Sequence, residues 1–145
     1  MADISQNSIE IQAPASEVYA TLAAIADYPT WSSAIKSAEI LERDGEGRAL
    51  QAKLSIDAGV MKDRVTLDYD WSEAPTKISF THDDADLLTE MTGAYTITGN
   101  GDDETTVKYE LTVALSMPVP SMMRLKAERS TIDLALNELK KKLEG

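Results

Sequence analysis

The sequence predicts an α+β fold, with a strongly curved antiparallel sheet of about seven strands packed on one long C-terminal helix. Three observations carry this expectation. From Val119 to Gly145, the residues Met122, Leu125, Ile132, Leu136, Leu139 and Leu143 recur at three- and four-residue steps and so share one helical face. The stretches between Ser37 and Met117 alternate apolar and polar residues, the pattern of antiparallel strands with one wet face. The dry face of that sheet needs a cover, and the final helix is the only large apolar surface left to provide it.

Taken in order, Gln6–Ala13 alternates and reads as a strand. Pro14 to Glu17 open a helix whose apolar face is Val18, Leu22 and Ile25; Asp27-Tyr28-Pro29 ends it, because proline disfavours helix in the residue before it. A second short helical turn is expected over Thr30–Ile35, carrying Trp31. The strands that follow are Ser37–Arg43, Arg48–Asp57, Val60–Trp71, Lys77–His82, Leu88–Thr98 and Glu104–Met117. They are separated by turns at Asp44–Gly47, Ala58-Gly59, Glu73–Pro75, the acidic run Asp83–Asp86, and Gly99–Asp102. The last helix has Pro120 in its first turn and Lys140, Lys141 and Lys142 in its last, where cations favour the dipole. It should be roughly 36 Å long.

At 145 residues the chain is expected to form one domain, 1–145. A formal charge of −11 argues against nucleic acid and anionic membrane as main partners. No apolar run reaches roughly 18 residues, so stable membrane insertion is not expected. The start, MADISQNSIE, lacks the basic-then-apolar order of a secretory signal. The absence of cysteine excludes disulfides and thiolate metal sites and fits a cytoplasmic protein. One histidine cannot build a multi-histidine metal centre, and no EF-hand, P-loop, GxGxxG or GxSxG spacing is present, so no metal and no cofactor are expected.

Three titratable residues break the apolar patterns. Arg129 stands where the helical stripe predicts an apolar side chain. It either snorkels from the edge of the contact to water or faces a space between helix and sheet. Asp63 lies on the inward phase between Met61 and Val65, unless a bulge turns it outward. His82 follows Ile78 and Phe80 inward, unless the strand end leaves it in solvent. Were two of the three inward, the interior would need an Asp63–Arg129 pair or a wet cavity. The methionines Met61, Met91, Met117, Met122 and Met123 either line an adaptable pocket or pack the core.

The opening IEIQAPASEVYATLAAIADYPTWSSAIKSAEILERDGEG and the end SMPVPSMMRLKAERSTIDLALNELKKKLE resemble the polyketide cyclase/START-like (SRPBCC) superfamily over nearly the whole chain. The resemblance implies a helix-grip fold with a deep cavity between sheet and C-terminal helix. Members bind hydrophobic or aromatic small molecules such as lipids, sterols, quinones, plant hormones and polyketides, and some cyclise or aromatise polyketides. Pro14, Tyr19, Tyr28, Pro29 and Trp31 match the opening motif, with Trp31 near the cavity mouth, and Met122 to Arg129 cover the entrance by the same resemblance. No universal catalytic motif carries over.

The leading expectation is therefore binding of a hydrophobic or aromatic small molecule, for transport, sensing or sequestration, by a monomer or homodimer. The ligand-contacting set would be Trp31, Leu54, Ile56, Met61, Val65, Phe80, Met91, Tyr95, Leu111, Val113, Met122 and Leu125, with Arg129 and Asp63 or His82 fixing a carboxylate, ketone or hydroxyl end. The alternatives are a cyclase, aromatase or dehydratase using those polar residues, and a filled core serving as an interaction module.

Overall fold

The computed structural model describes residues 5–57, 62–86, 88–115 and 120–144. Strand β1 (Ser5–Ile11) leads into helix α1 (Ala15–Ala23), a 3-10 turn (Ile25–Asp27) and a single helical turn, α2 (Tyr28–Trp31). The strands β2 (Ile35–Arg43), β3 (Ala49–Asp57), β4 (Lys62–Asp70), β5 (Lys77–Ala85), β6 (Leu88–Gly99) and β7 (Thr105–Leu115) follow, and α3 (Ser121–Glu144) closes the chain. The Ala58-Gly59 turn, Val60, Met61, Met117 and the expected helix start at Val119 lie outside the described residues.

The strands form one curved antiparallel sheet in the order β1-β7-β6-β5-β4-β3-β2. Alternation fixes which face is dry. In β4, Asp63, Val65, Leu67 and Tyr69 are buried while Lys62, Arg64, Asp68 and Asp70 are exposed. The largest fully buried side chains come from both layers: Leu67, Ile78 and Leu111 from the sheet, Ile132, Leu136 and Leu139 from α3.

Two boundaries differ from the sequence reading. Pro29 does not close a helix. It sits in the first turn of α2, where its missing N–H is harmless, and α1 has already ended at Ala23. Strand β5 does not stop at His82 but runs to Ala85. Its pairing with β6 ends at Thr81↔Thr92, while its pairing with β4 continues past a bulge to Val65↔Ala85.

Helix α3 is also tied to the edge strand β1. Asn7 Nδ2 donates to Asp133 (2.9 Å), Lys140 Nζ to the Glu10 carbonyl (2.8 Å) and the Gln12 N–H to Glu144 (2.8 Å). The Glu10 carbonyl is a backbone group of β1 that a bare edge would leave open to another strand. No helix among the described residues is long and apolar enough to cross a membrane.

The apolar seam should dominate stability. Leu136→Ala is expected to cost about 2–5 kcal/mol by urea denaturation. Met122→Ala, at a side chain 82% exposed, should change stability by less than about 0.5 kcal/mol.

Candidate functional site

Sheet and helix do not close fully. A pocket with about 50 Å³ open to the centre of a water-sized sphere lies between them, room for a few waters. The sheet supplies Leu54 and Ile56 from β3, Leu67 and Tyr69 from β4, Phe80 from β5, Met91 and Tyr95 from β6, and Tyr109 from β7. Tyr28 and Trp31 of α2 and the connector residues Ser32 and Ala34, with Ile35, close one side. The helix faces the pocket with Thr131 and Ala135, both small, and that is why a gap remains there.

The aromatic lining follows from strand register. Tyr95 pairs with Tyr109 across β6 and β7, and their rings stack at 4.2 Å. Tyr69 pairs with Phe80, rings 5.9 Å apart. Phe80 in turn pairs with Gly93, where a Cβ would stand 2.6 Å from its ring and 2.7 Å from the Glu110 carbonyl oxygen. Glycine thus lets the Phe80 ring lie against β6.

The electrostatics of the wall are simple. No Asp, Glu, Lys, Arg or His lines the pocket among the described residues. Burial raises the phenol pKa of Tyr28, Tyr69, Tyr95 and Tyr109, with mutual repulsion between would-be phenolates adding to it at Tyr28, Tyr69 and Tyr95. These hydroxyls therefore stay protonated at neutral pH. Tyr28 donates to the Leu22 carbonyl. Trp31 Nε1 is buried without a hydrogen-bond partner.

Of the residues singled out in the sequence, Trp31, Leu54, Ile56, Phe80, Met91 and Tyr95 border the pocket. Val65, Leu111 and Val113 are buried but do not reach it, and Leu125 is half-buried away from it. Met61 lies outside the described residues. The three titratable residues do not converge. Arg129 is exposed, and Met122 with it, so neither faces the interior. The buried charge one position earlier is Glu128, because Ile132 is reached by a four-residue step rather than three.

Asp63 is buried as its phase required, yet it serves the backbone. Its carboxylate accepts from the N–H groups of Arg64 (2.7 Å), Asp86 (3.0 Å) and Leu88 (2.8 Å), pinning the β5–β6 connection to the start of β4. His82 is half-buried and its Nδ1 accepts the Met91 N–H at 3.3 Å, where β5 and β6 have parted. Sequence reasoning left Tyr28, Leu67, Tyr69, Tyr109, Thr131 and Ala135 off the wall. Leu67, Tyr69 and Tyr109 stood on the inward phase of their strands and could have been included; small helical residues gave no signal.

Glu128 fixes the N-terminal half of α3. Its side chain, wholly buried, accepts from Ser5 Oγ (2.7 Å), the Val113 N–H (2.6 Å) and Arg124 Nη1 (2.9 Å). A buried carboxylate is tolerable only with such partners.

A bent antiparallel sheet holding one long helix across a partly open, aromatic-lined interior defines a helix-grip protein. The family described as polyketide cyclase/dehydrase and lipid transport matches residues 11–140, and the chain belongs to it. Solved structures share the fold at low identity. A START superfamily protein from Mycobacterium smegmatis superposes with a TM-score of 0.91 at 23% identity, covering 97% of each chain. A Thermus thermophilus protein gives 0.84 at 18% identity, over 98% of this chain and 97% of its own. The Zhui aromatase/cyclase from Streptomyces gives 0.77 at 16% identity, over 98% and 93%. No curated protein matches the sequence.

Two measurements check this description. Glu128→Ala strands three donors and should cost about 3–5 kcal/mol in urea denaturation, whereas Arg129→Ala should cost under about 0.5 kcal/mol. The buried tyrosines predict alkaline behaviour. Their folded pKa lies above the value near 10 of the unfolded chain, so their contribution is complete below that pH and is lost as pH rises through and beyond it. Tyrosinate absorbance from these four should appear only together with loss of near-ultraviolet circular dichroism.

Proposed function

We propose that the chain binds an uncharged aromatic or polycyclic molecule, bearing a carbonyl or hydroxyl oxygen, in the pocket between the sheet and α3. The observation that carries this reading is the wall itself, with aromatic and aliphatic side chains, protonated phenols, one unpartnered indole N–H and no ionised group among the described residues. A carboxylate or phosphate carried inside would lose its hydration with no cation to replace it. The expectation that Arg129 would anchor a carboxylate therefore gives way to a neutral oxygen accepting from phenol or indole.

Binding is preferred to cyclisation on the same ground. Enolising a polyketide needs a base poised near neutral pH, and phenols held protonated by burial cannot act as one. The family description covers both chemistry and lipid transport, and the Zhui protein is described as an aromatase/cyclase, so turnover is the competing outcome. The pocket at about 50 Å³ is far below the roughly 300 Å³ at which drug-sized sites begin, so occupation requires a wall to move.

Isothermal titration with anthraquinone, anthraquinone-2-carboxylate and a cationic aminoacridine tests the reading. Anthraquinone should bind at least about 30-fold more tightly than the carboxylate. Tyr95→Phe should weaken anthraquinone about 3- to 10-fold. Equal or tighter binding of the carboxylate, or no detectable binding of any of the three, overturns it. Conversion of an unreduced polyketide chain by the purified protein would replace binding with catalysis.

A further inference from the structure

We infer that the pocket is entered past Trp31, between α2 and the middle of α3, and that the hydrogen bonds between Ser33 and Glu138 hold this entrance shut. The inference rests on the pocket being a binding site.

Trp31 is a wall of two spaces at once. It borders the inner pocket, and it also borders an outer recess of about 230 Å³ formed with Ala20, Thr21, Ala24, Asp27, Thr30 and Lys142. The side chain is thus the partition between a nearly closed interior and a larger hollow open to solvent. Swung into the recess, it would join the two, and their combined space approaches the roughly 300 Å³ lower end of ligand pockets.

The indole packs against the core in its closed position, but at the cost of one unpaired polar atom. Its edge meets Tyr28 at a ring separation of 5.2 Å, but Nε1 is buried without a partner. A buried N–H that forgoes its hydrogen bond favours any conformation in which water or a ligand oxygen can accept it. Trp31 also rides on α2, a single turn from Tyr28 to Trp31, too short to be stable by itself.

Across from it, α3 offers Thr131 and Ala135, and one turn further on Glu138 reaches the connector after α2. Glu138 Oε1 accepts from the Ser33 N–H at 3.0 Å and from Ser33 Oγ at 3.1 Å. Both bonds are at the surface, where water can replace them, so they form a latch rather than a permanent tie.

The N-terminal half of α3, which the family resemblance would place over the entrance, is poorly suited. No described residue from 120 to 129 borders the pocket. Glu128 clamps that half to β1 and β7 through buried hydrogen bonds to Ser5 and Val113. Opening there would strand a buried carboxylate; opening at Ser33 would break exposed hydrogen bonds and the Trp31 packing but leave no charge buried.

The chain has two tryptophans, so Trp71→Phe leaves Trp31 as sole reporter. In that background, Glu138→Ala should raise the acrylamide quenching constant of Trp31 about 3-fold or more, while Glu138→Gln, which keeps an acceptor oxygen, should raise it far less. With Trp71 intact, stopped-flow binding of the fluorescent ketone 6-propionyl-2-(dimethylamino)naphthalene should accelerate about 5- to 10-fold in Glu138→Ala and in Trp31→Ala. Unchanged quenching and unchanged association in folded Glu138→Ala overturn the entrance. So does acceleration confined to Arg124→Ala, at the other end of the helix. Should the dye fail to bind even the wild-type chain, the pocket reading fails, and the quenching comparison still decides whether the Ser33–Glu138 latch exists.

Discussion

The constraint on which the structure depends is the height at which α3 is held above the sheet. Ile132, Leu136 and Leu139 set that height on one side, fully buried and large. Polar clamps set it along the length: Glu128 to Ser5 and Val113 near the start, then Asp133 and Lys140 to β1 and Glu144 to Gln12 just after it. With the helix fixed by these groups, the small side chains of Thr131 and Ala135 cannot descend to fill the space beneath them. A uniformly apolar helix would have closed that space and gained burial energy. The gap is thus a consequence of where the large residues and the clamps were placed, and it falls opposite the aromatic rows of β4 to β7.

Those rows are ordered by backbone register rather than by the helix. Tyr95 lies across from Tyr109, Tyr69 across from Phe80, and Phe80 across from Gly93, so the ring positions follow from ladder hydrogen bonds and one missing Cβ. The pocket therefore has one wall of paired strands, the sheet, and one wall where a four-residue helix carries a half-buried tryptophan. Such a division suits a site that must admit a ligand without losing its fold, since local opening draws on the least stable element.

The strands and the closing helix were legible because their periods are long and clean. The alternation of Val65, Leu67 and Tyr69 reports the dry face directly, and the stripe Ile132, Leu136, Leu139 reports the helical seam. The polar interior was not legible in the same way. A helical stripe allows either a three- or a four-residue step, and only packing chooses Glu128 over Arg129. The inward phase of Asp63 is correct, but phase cannot say that the carboxylate will be consumed by three backbone N–H groups. Strand β5 outlasts its acidic composition because one neighbour, β4, still pairs with it after β6 has left. Thr131 and Ala135 matter by what they lack, and an absence of volume has no signature in a pattern of polar and apolar letters.

The acidity of the chain and the neutrality of its pocket bear on one question from opposite sides. A formal charge of −11 creates a field that disfavours the approach of anions. Inside, the described wall holds no cation to compensate one that arrives. An organic cation would be drawn in by the field and could rest on aromatic faces. It would, however, leave the Trp31 N–H without an acceptor, whereas a carbonyl or hydroxyl oxygen within reach would satisfy it. Rejection by unsatisfied polar groups discriminates more sharply than the fit of apolar surface does. On the proposed reading, selectivity would rest on an oxygen atom carried by an otherwise apolar, uncharged frame, because the described wall offers phenols and one indole N–H but no ionised group.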